Sequence, residues 1–303
     1  MSKLLSLYDA VERWVENGSS VVMSAALEAL IPFAAGHEII RQRKQDLTLI
    51  APISDILFDQ LIGAGCVAAV KAAWVGNVSA GLGHNYRRAA EHAVPRALAI
   101  EDHSNFSITL ALLAGSLGAP YLPTRSLLGT DILRRNDRLM ETTSPFGADR
   151  LVLVPAETPD VAILHVQRCD EDGNAHAWGN LGFSREALAA SRRTILIAEE
   201  IVPRDLIASD PNRVLGPSQK VVAVVHEPGG AHPSPVQGHY NRDHTFFHEY
   251  HAATRTEEGS QAWLREWVYG VPDRQAYIDR LGDRWPVLQR KQHRFAAPVD
   301  YGY

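Results

Sequence analysis

The chain has 303 residues, 46% hydrophobic and 21% charged, so it can bury a large core and is neither disordered nor fibrous in composition. Its net charge is −5 at a pI of about 6.2, and Lys and Arg are scattered, which removes the electrostatic footprint of a nucleic-acid binder. No stretch reaches the roughly 20 apolar residues that span a bilayer, and the amino-terminal MSKLLSLYDAVERWVENGSS is broken by Asp9, Glu12, Arg13 and Glu16, unlike a signal peptide.

Helical spacing predicts a first helix over 4–16, with Leu4, Leu5, Tyr8, Val11, Trp14 and Val15 on one face. A strand begins at 21–23, followed by Ser24, Ala25 and Ala26. A helix over 29–44 ends in Arg41, Arg43 and Lys44, cations suited to its carboxyl end. A strand over 47–51 turns through 52–55 into a helix that stops at Gly63-Ala64-Gly65. These glycines precede a strand over 68–75, the reverse of the strand-to-helix order of a dinucleotide site, and read as a helix stop. A loop over 76–83 leads into a helix opened by His84.

The stretch EDHSNFSITLALLAGSLGAPYLPTRSLLGTD (101–131) is the richest in chemistry. A short buried strand over 97–100 precedes it. Ser104 and Asn105 are good N-caps for a helix carrying Ile108, Leu112 and Leu113, which must stop between Gly115 and Gly118 because Pro120 cannot continue it. Tyr121 and Leu122 are extended, and 123–131 form a polar loop. In an open α/β sheet, two such loops at strand carboxyl ends would face one crevice.

Strands follow over 151–154 and 161–166, then a hairpin turn at 170–174 leading to 175–178. A helix over 184–191 leads to a strand over 194–198 closed by Glu199-Glu200. A strand over 221–225 runs into His226-Glu-Pro-Gly229-Gly230-Ala-His232, whose glycines permit close backbone approach. From about 243 the chain is helical, with a polar tail over 291–303. This alternation predicts an α/β fold, an open, mostly parallel, doubly wound sheet with helices on both faces, as one domain over 1–303.

Thirteen histidines raise the question of a metal. His244 and His248 have helical spacing, but no second ligand motif supports them, so they read as a solvated face and no metal is expected. His165, inside an apolar strand, reads as a hydrogen-bonded core histidine. His226 and His232 flank the Gly-Gly loop and read as shaping it. Gly115-Ser116-Leu117-Gly118 lacks the order of a nucleophile elbow. Cys66 and Cys169 sit in separate apolar segments, as reduced thiols of a cytoplasmic protein do. Glu101 is the candidate catalytic carboxylate; its alternative is to accept hydrogen bonds and hold the loop.

Glu101-Asp102 with Ser104-Asn105 and AGSLGAPYLPTRSLLGTDI resembles the alpha (A) subunit of the family I CoA-transferases, nearest the glutaconate CoA-transferase type. DLTLIAP (46–52), DQLIGAGCVAAVKAAWVGN (59–77), LVLVPAETPDVAILHVQRCDEDGNAHAWG (151–179), EEIVP (199–203) and VVHEPGGAHPSPVQGHY (224–240) resemble it in the same order. The family usually has a Gly-rich turn where this chain has Ser24-Ala25-Ala26.

The resemblance implies a CoA-transferase alpha subunit that takes a coenzyme A thioester as substrate, holds no permanent cofactor, and works in a hetero-oligomer with a beta subunit carrying the nucleophilic glutamate. Nucleic acid and membrane are not implied partners. Carried over by position, Thr124 and Arg125 line the acyl pocket, and Arg125 takes a substrate carboxylate or pairs with Glu101, Asp102 or Asp131. Ser104, Asn105, Gly229 and Gly230 complete the substrate-binding set. The related steroid-ring hydrolases, the alternative reading, place a catalytic glutamate where this chain has Asn105, whose amide cannot act as a base.

Overall fold

A computed structural model describes residues 2–23 and 25–289; the expected tail over 291–303 and Ser24 lie outside them. In chain order the first elements are α1 (Leu7–Trp14), β1 (Ser20–Val22), α2 (Phe33–Arg41), β2 (Leu47–Ile53), α3 (Ile56–Gly63), β3 (Val67–Trp74), β4 (Gly76–Asn77), β5 (Gly81–Leu82), α4 (His84–His92), β6 (Ala99–Asp102) and α5 (Asn105–Leu117). Next come β7 (Tyr121–Thr124), α6 (Asp131–Arg135), β8 (Met140–Thr143), β9 (Arg150–Pro155), β10 (Val161–Cys169) and β11 (Ala175–His176). The last are α7 (Ser184–Ala190), β12 (Arg193–Ile201), α8 (Arg204–Ala208), β13 (Val221–His226), α9 (His244–Ala253), α10 (Glu257–Leu264), α11 (Arg274–Leu281) and α12 (Arg284–Leu288).

The main sheet has the order β13-β12-β10-β1-β2-β3-β6, all neighbours parallel, with β11 paired antiparallel to β10 across the expected hairpin. Its central strands are continuous runs of Val, Ile, Leu and Ala because both faces are covered. One apolar core lies against α1, α2, α3 and the carboxyl-terminal helices, and a second lies against α5 and α7. Asp59 of α3 is fully buried and accepts from Tyr250 Oη at 2.7 Å, Tyr86 N at 2.8 Å and Asn85 Nδ2 at 3.1 Å. One carboxylate thus joins α3, α4 and α9, and leaving any of these donors without it would be costly.

Three expectations change. The helix over 29–44 begins only at Phe33, because Leu27 and Leu30 adopt positive φ and the preceding segment is a turn. The short strand at 97–100 is β6, shifted to 99–102, and it is an exposed edge strand containing Glu101 rather than a buried one preceding it. The strand at 151–154 joins a separate antiparallel sheet, β7-β9-β8. The two sheet edges also differ. Lys3 and Leu5 exchange backbone hydrogen bonds with Val224 of β13, while β6 has no strand on its outer side among the described residues.

Candidate active site

All the parallel strands end on one side of the sheet, and the chain order reverses between β10 and β1, which is where open α/β sheets bind ligands. Beside this point, two residues past the end of β2, stands Asp55. Its φ of 48° is strained for a residue with a side chain, and although it stands at the N-cap of α3 its carboxylate caps nothing there. It instead accepts from Val78 N at 3.2 Å and meets Arg242 Nη2 at 2.6 Å. Arg242 also donates to Ser79 Oγ at 3.0 Å and lies 3.7 Å from the centre of the Phe247 ring, while its buried Nη1 has no partner among the described residues. Burial pushes the Asp55 carboxyl up to about 6 against the pull of Arg242 and Val78 N–H. Sequence reading missed this pair; the only local signal was a good capping residue at a helix start.

At the β6 edge, Glu101 accepts from His103 Nε2 at 2.9 Å and lies 3.4 Å from Lys71 Nζ and 3.5 Å from Arg138 Nη1. Lys71 also meets Glu157 at 2.6 Å, and Arg138 pairs with Glu157 as well. Burial alone would raise the Glu101 carboxyl, but the His103 hydrogen bond and the two cations outweigh it and hold the group at about 2. A carboxylate held there is a feeble base, and its contacts tie β6 to Lys71 of β3 and to the segment carrying Arg138. Ser104 caps α5 in a reciprocal pair with Ser107, leaving Asn105 exposed in the first turn.

Thr124 and Arg125 stand at the end of β7. Thr124 Oγ1 accepts from Ser126 N at 3.1 Å. Arg125 pairs with Asp149 at 3.7 Å, not with Glu101, Asp102 or Asp131, and its side chain is 72% exposed. Asn136 Nδ2 donates to Asp102 O at 2.9 Å and Arg138 reaches Glu101, so the segment that follows Arg125 is fastened to β6.

Gly229 and Gly230 follow β13, at the opposite edge of the sheet from Ser104 and Asn105. Six inter-strand steps separate these edges, roughly 29 Å at about 4.8 Å each. The fold therefore does not bring the six substrate-binding candidates into one pocket of this chain. The Gly-Gly backbone is also occupied internally. Gly229 N donates to Glu199 Oε2 at 2.8 Å, Gly230 N donates to Glu227 O at 2.9 Å, and Arg274 Nε grips Gly229 O at 2.8 Å. Glu199 accepts from His165 Nε2 and Tyr240 Oη, each at 2.7 Å, so His165 is the hydrogen-bonded core histidine its strand implied. Burial takes His232 down to about 4 despite Asp243 at 3.1 Å, leaving it neutral between Asp243 and Tyr277. A cleft of about 610 Å³ opens beside this loop, lined by Glu199, Gly229, Tyr240, Ile278 and Trp285 among others. His244 and His248 lie on the exposed face of α9, and no group of three or more His, Cys, Asp or Glu among the described residues is placed to hold a metal.

A parallel sheet with polar loops at its strand ends is shared by many enzyme classes, and similarity to known proteins narrows the choice. The chain belongs to the coenzyme A transferase family, whose sequence pattern matches residues 4–227. Within it, the chain is of the alpha (A) type. It is 39% identical over 273 residues to the alpha (A) chain of the 3-oxoadipate CoA-transferase of Pseudomonas knackmussii, covering 90% of this chain and 96% of that one. The alpha (A) chain of the glutaconate CoA-transferase of Acidaminococcus fermentans is 31% identical over 298 residues, covering 93% and 92%. The crystal structure of that organism's glutaconate CoA-transferase superposes with a TM-score of 0.89 at 29% identity, covering 96% of each chain. The cholesterol ring-cleaving hydrolase IpdA subunit of Mycobacterium tuberculosis is more distant, 27% identical over 292 residues, covering 92% and 98%. The transferase reading is therefore favoured over the hydrolase. No helix among the described residues is long and apolar enough to cross a membrane.

Proposed function

We propose that this chain is the alpha half of a two-chain enzyme that moves CoA between an acyl-CoA and an oxo or dicarboxylic acid. The observation that carries this is the near full-length similarity to alpha chains named for 3-oxoadipate and glutaconate, both dicarboxylic acids. In the reaction, a glutamate carboxylate of the beta chain attacks the thioester carbonyl and expels the CoA thiolate, leaving an acyl-glutamyl anhydride. The thiolate attacks the glutamyl carbonyl, the acid leaves as its carboxylate, and the acceptor acid reverses both steps.

The role of this chain is to bind and orient. Arg125 offers a planar fork to the carboxylate remote from the reacting one, and Thr124, Ser104 and Asn105 line the same side. The exposure of Arg125 supports a pocket that closes only when a beta chain covers it. Phe106 and Leu117, three turns apart on α5, and Tyr121 on the free edge of β7 are exposed beside these residues, an apolar surface fit to be covered. Asn105, an amide, supports transfer over ring hydrolysis. Cys66 and Cys169 are buried and free, which supports a reduced, cytoplasmic setting.

The test is transfer from succinyl-CoA to a panel of mono- and dicarboxylic acids by this chain alone and with a beta-type chain. Turnover only by the pair, with a dicarboxylic preference, is expected. Robust turnover by the isolated chain would overturn the half-site, and CoA release without an acceptor acid would favour hydrolysis.

A further inference from the structure

The turn between β8 and β9 carries Phe146 at its tip, 97% exposed, the largest exposure of any large hydrophobic side chain among the described residues. An aromatic ring left in water at a loop end would ordinarily be softened by a mobile backbone, but this turn is fastened. Ser144 Oγ accepts from Phe146 N at 3.2 Å, Ser144 N donates to Asp149 O at 2.8 Å, and Arg150 pairs with Glu141 across the hairpin. Asp149, on the same turn, pairs with Arg125. The turn is thus closed by its own hydrogen bonds, and its Asp149 carboxylate lies 3.7 Å from Arg125, at the mouth of the open half-site. Rigid, protruding aromatic side chains that lose little conformational freedom on burial are what binding anchors are made of.

We infer that Phe146 is an anchor for the beta chain, inserting into an apolar, ring-sized pocket on that chain. This rests on the two-chain reading above and names the contact that holds the chains in register. The occupant follows from continuity. β7 is a free edge strand with Tyr121 exposed, α5 beside it exposes Phe106 and Leu117, and the Arg125–Asp149 pair joins that surface to the tip. A partner that covers Arg125 to close the acid pocket must reach Asp149, and with it the Phe146 turn. The flanking Arg125, Arg134 and Arg150 already face Asp149, Asp131 and Glu141 of this chain, so the ring and not a charge excess is the feature the partner has to match.

The experiment measures the Kd between this chain and a beta-type chain, by calorimetry or light scattering, for wild type, Phe146→Leu and Phe146→Ser. Because the ring touches solvent on nearly all sides, both variants should melt with the wild-type chain. Phe146→Ser should raise Kd roughly thirtyfold or more, the scale of a strong anchor, with Phe146→Leu between. Activity of the serine pair should fall at low protein concentration and recover at high concentration. An unchanged Kd for Phe146→Ser would overturn the anchor while leaving the two-chain reading intact. A raised KM for the acyl-CoA with unchanged association would overturn it too, assigning the ring to ligand stacking. A wild-type chain that binds no beta chain would overturn both.

Discussion

Asp55 Oδ2 and Arg242 Nη2 lie 2.6 Å apart and join the end of β2 to the segment leading into α9. The carboxylate is fully buried at the place where its own helix start would have used it. Its titration should therefore be visible in the stability of the whole fold. The folded pKa, about 6, is above the ordinary 3.8. The folded state then binds the extra proton more tightly than the unfolded one, so the group favours folding most below about 3.8 and progressively less as pH rises through 6. Between pH 4 and 7 the wild type should lose up to about 3 kcal/mol relative to its own value at pH 4 from this group. Asp55→Asn, whatever its overall stability with Arg242 left unpaired, should lack that slope. Denaturant midpoints across this range check it, and parallel slopes for the two proteins would refute it.

Glu101 behaves in the opposite sense. Its folded pKa of about 2 is below the ordinary 4.5, so its contribution is fully present above 4.5 and is lost as pH falls toward 2. Glu101→Gln should cost about 1–3 kcal/mol at neutral pH and flatten the acid limb of stability. With the loop role, kcat in the reconstituted pair should fall only a fewfold. A loss beyond a hundredfold with a wild-type melting temperature would instead give this carboxylate a part in the chemistry.

Arg125 offers a cleaner split. Its pairing with Asp149 is long and its side chain mostly in water, so Arg125→Met should change chain stability by no more than about 0.5 kcal/mol. In the pair, kcat/KM for a dicarboxylic acceptor should drop roughly ten- to a few hundredfold, with Arg125→Lys recovering part of it, while a monocarboxylic acceptor is largely spared. Equal losses for both acids would remove Arg125 from acid recognition.

Gly230 tests whether the second loop is architecture. A Cβ there would come within 2.7 Å of Glu227 O and 3.0 Å of His165 Cε1. Gly230→Ala should destabilise the chain by roughly 1–3 kcal/mol without changing the order of preference among acceptor acids. A stable variant with altered acid preference would place the loop at the substrate after all.

The inner parallel strands were legible because they are mostly runs of small and branched apolar residues, the pattern a doubly covered sheet requires, whereas the edge strand β6, Ala-Ile-Glu-Asp, carries no such run and was placed too early. The β10–β11 hairpin and the stop of α5 at Gly118 were legible for equally local reasons, an Asp-Gly turn and a left-handed glycine. β8 was not, since Met140-Glu-Thr-Thr143 has no apolar run and exists only by pairing with β9. Nor was the start of α2, because positive φ at Leu27 and Leu30 contradicts their local preference and is imposed by packing. The site suffered most. Thr124 with Arg125 and Ser104 with Asn105 were nominated from resemblance, but their distance from Gly229 depends on strand order, and the meeting of Asp55 with Arg242 depends on tertiary contacts that no spacing encodes.

The unequal edges of the main sheet give the molecule a handle and a working end. Residues 3–5 lie along β13, a full sheet width from β6. A tether or fusion placed before Lys3 would leave from the β13 edge, away from the β6 edge and Glu101. Surface immobilisation through that end should leave the β6 edge facing the solution, so capture of a beta-type chain there can be read without the tether in the way.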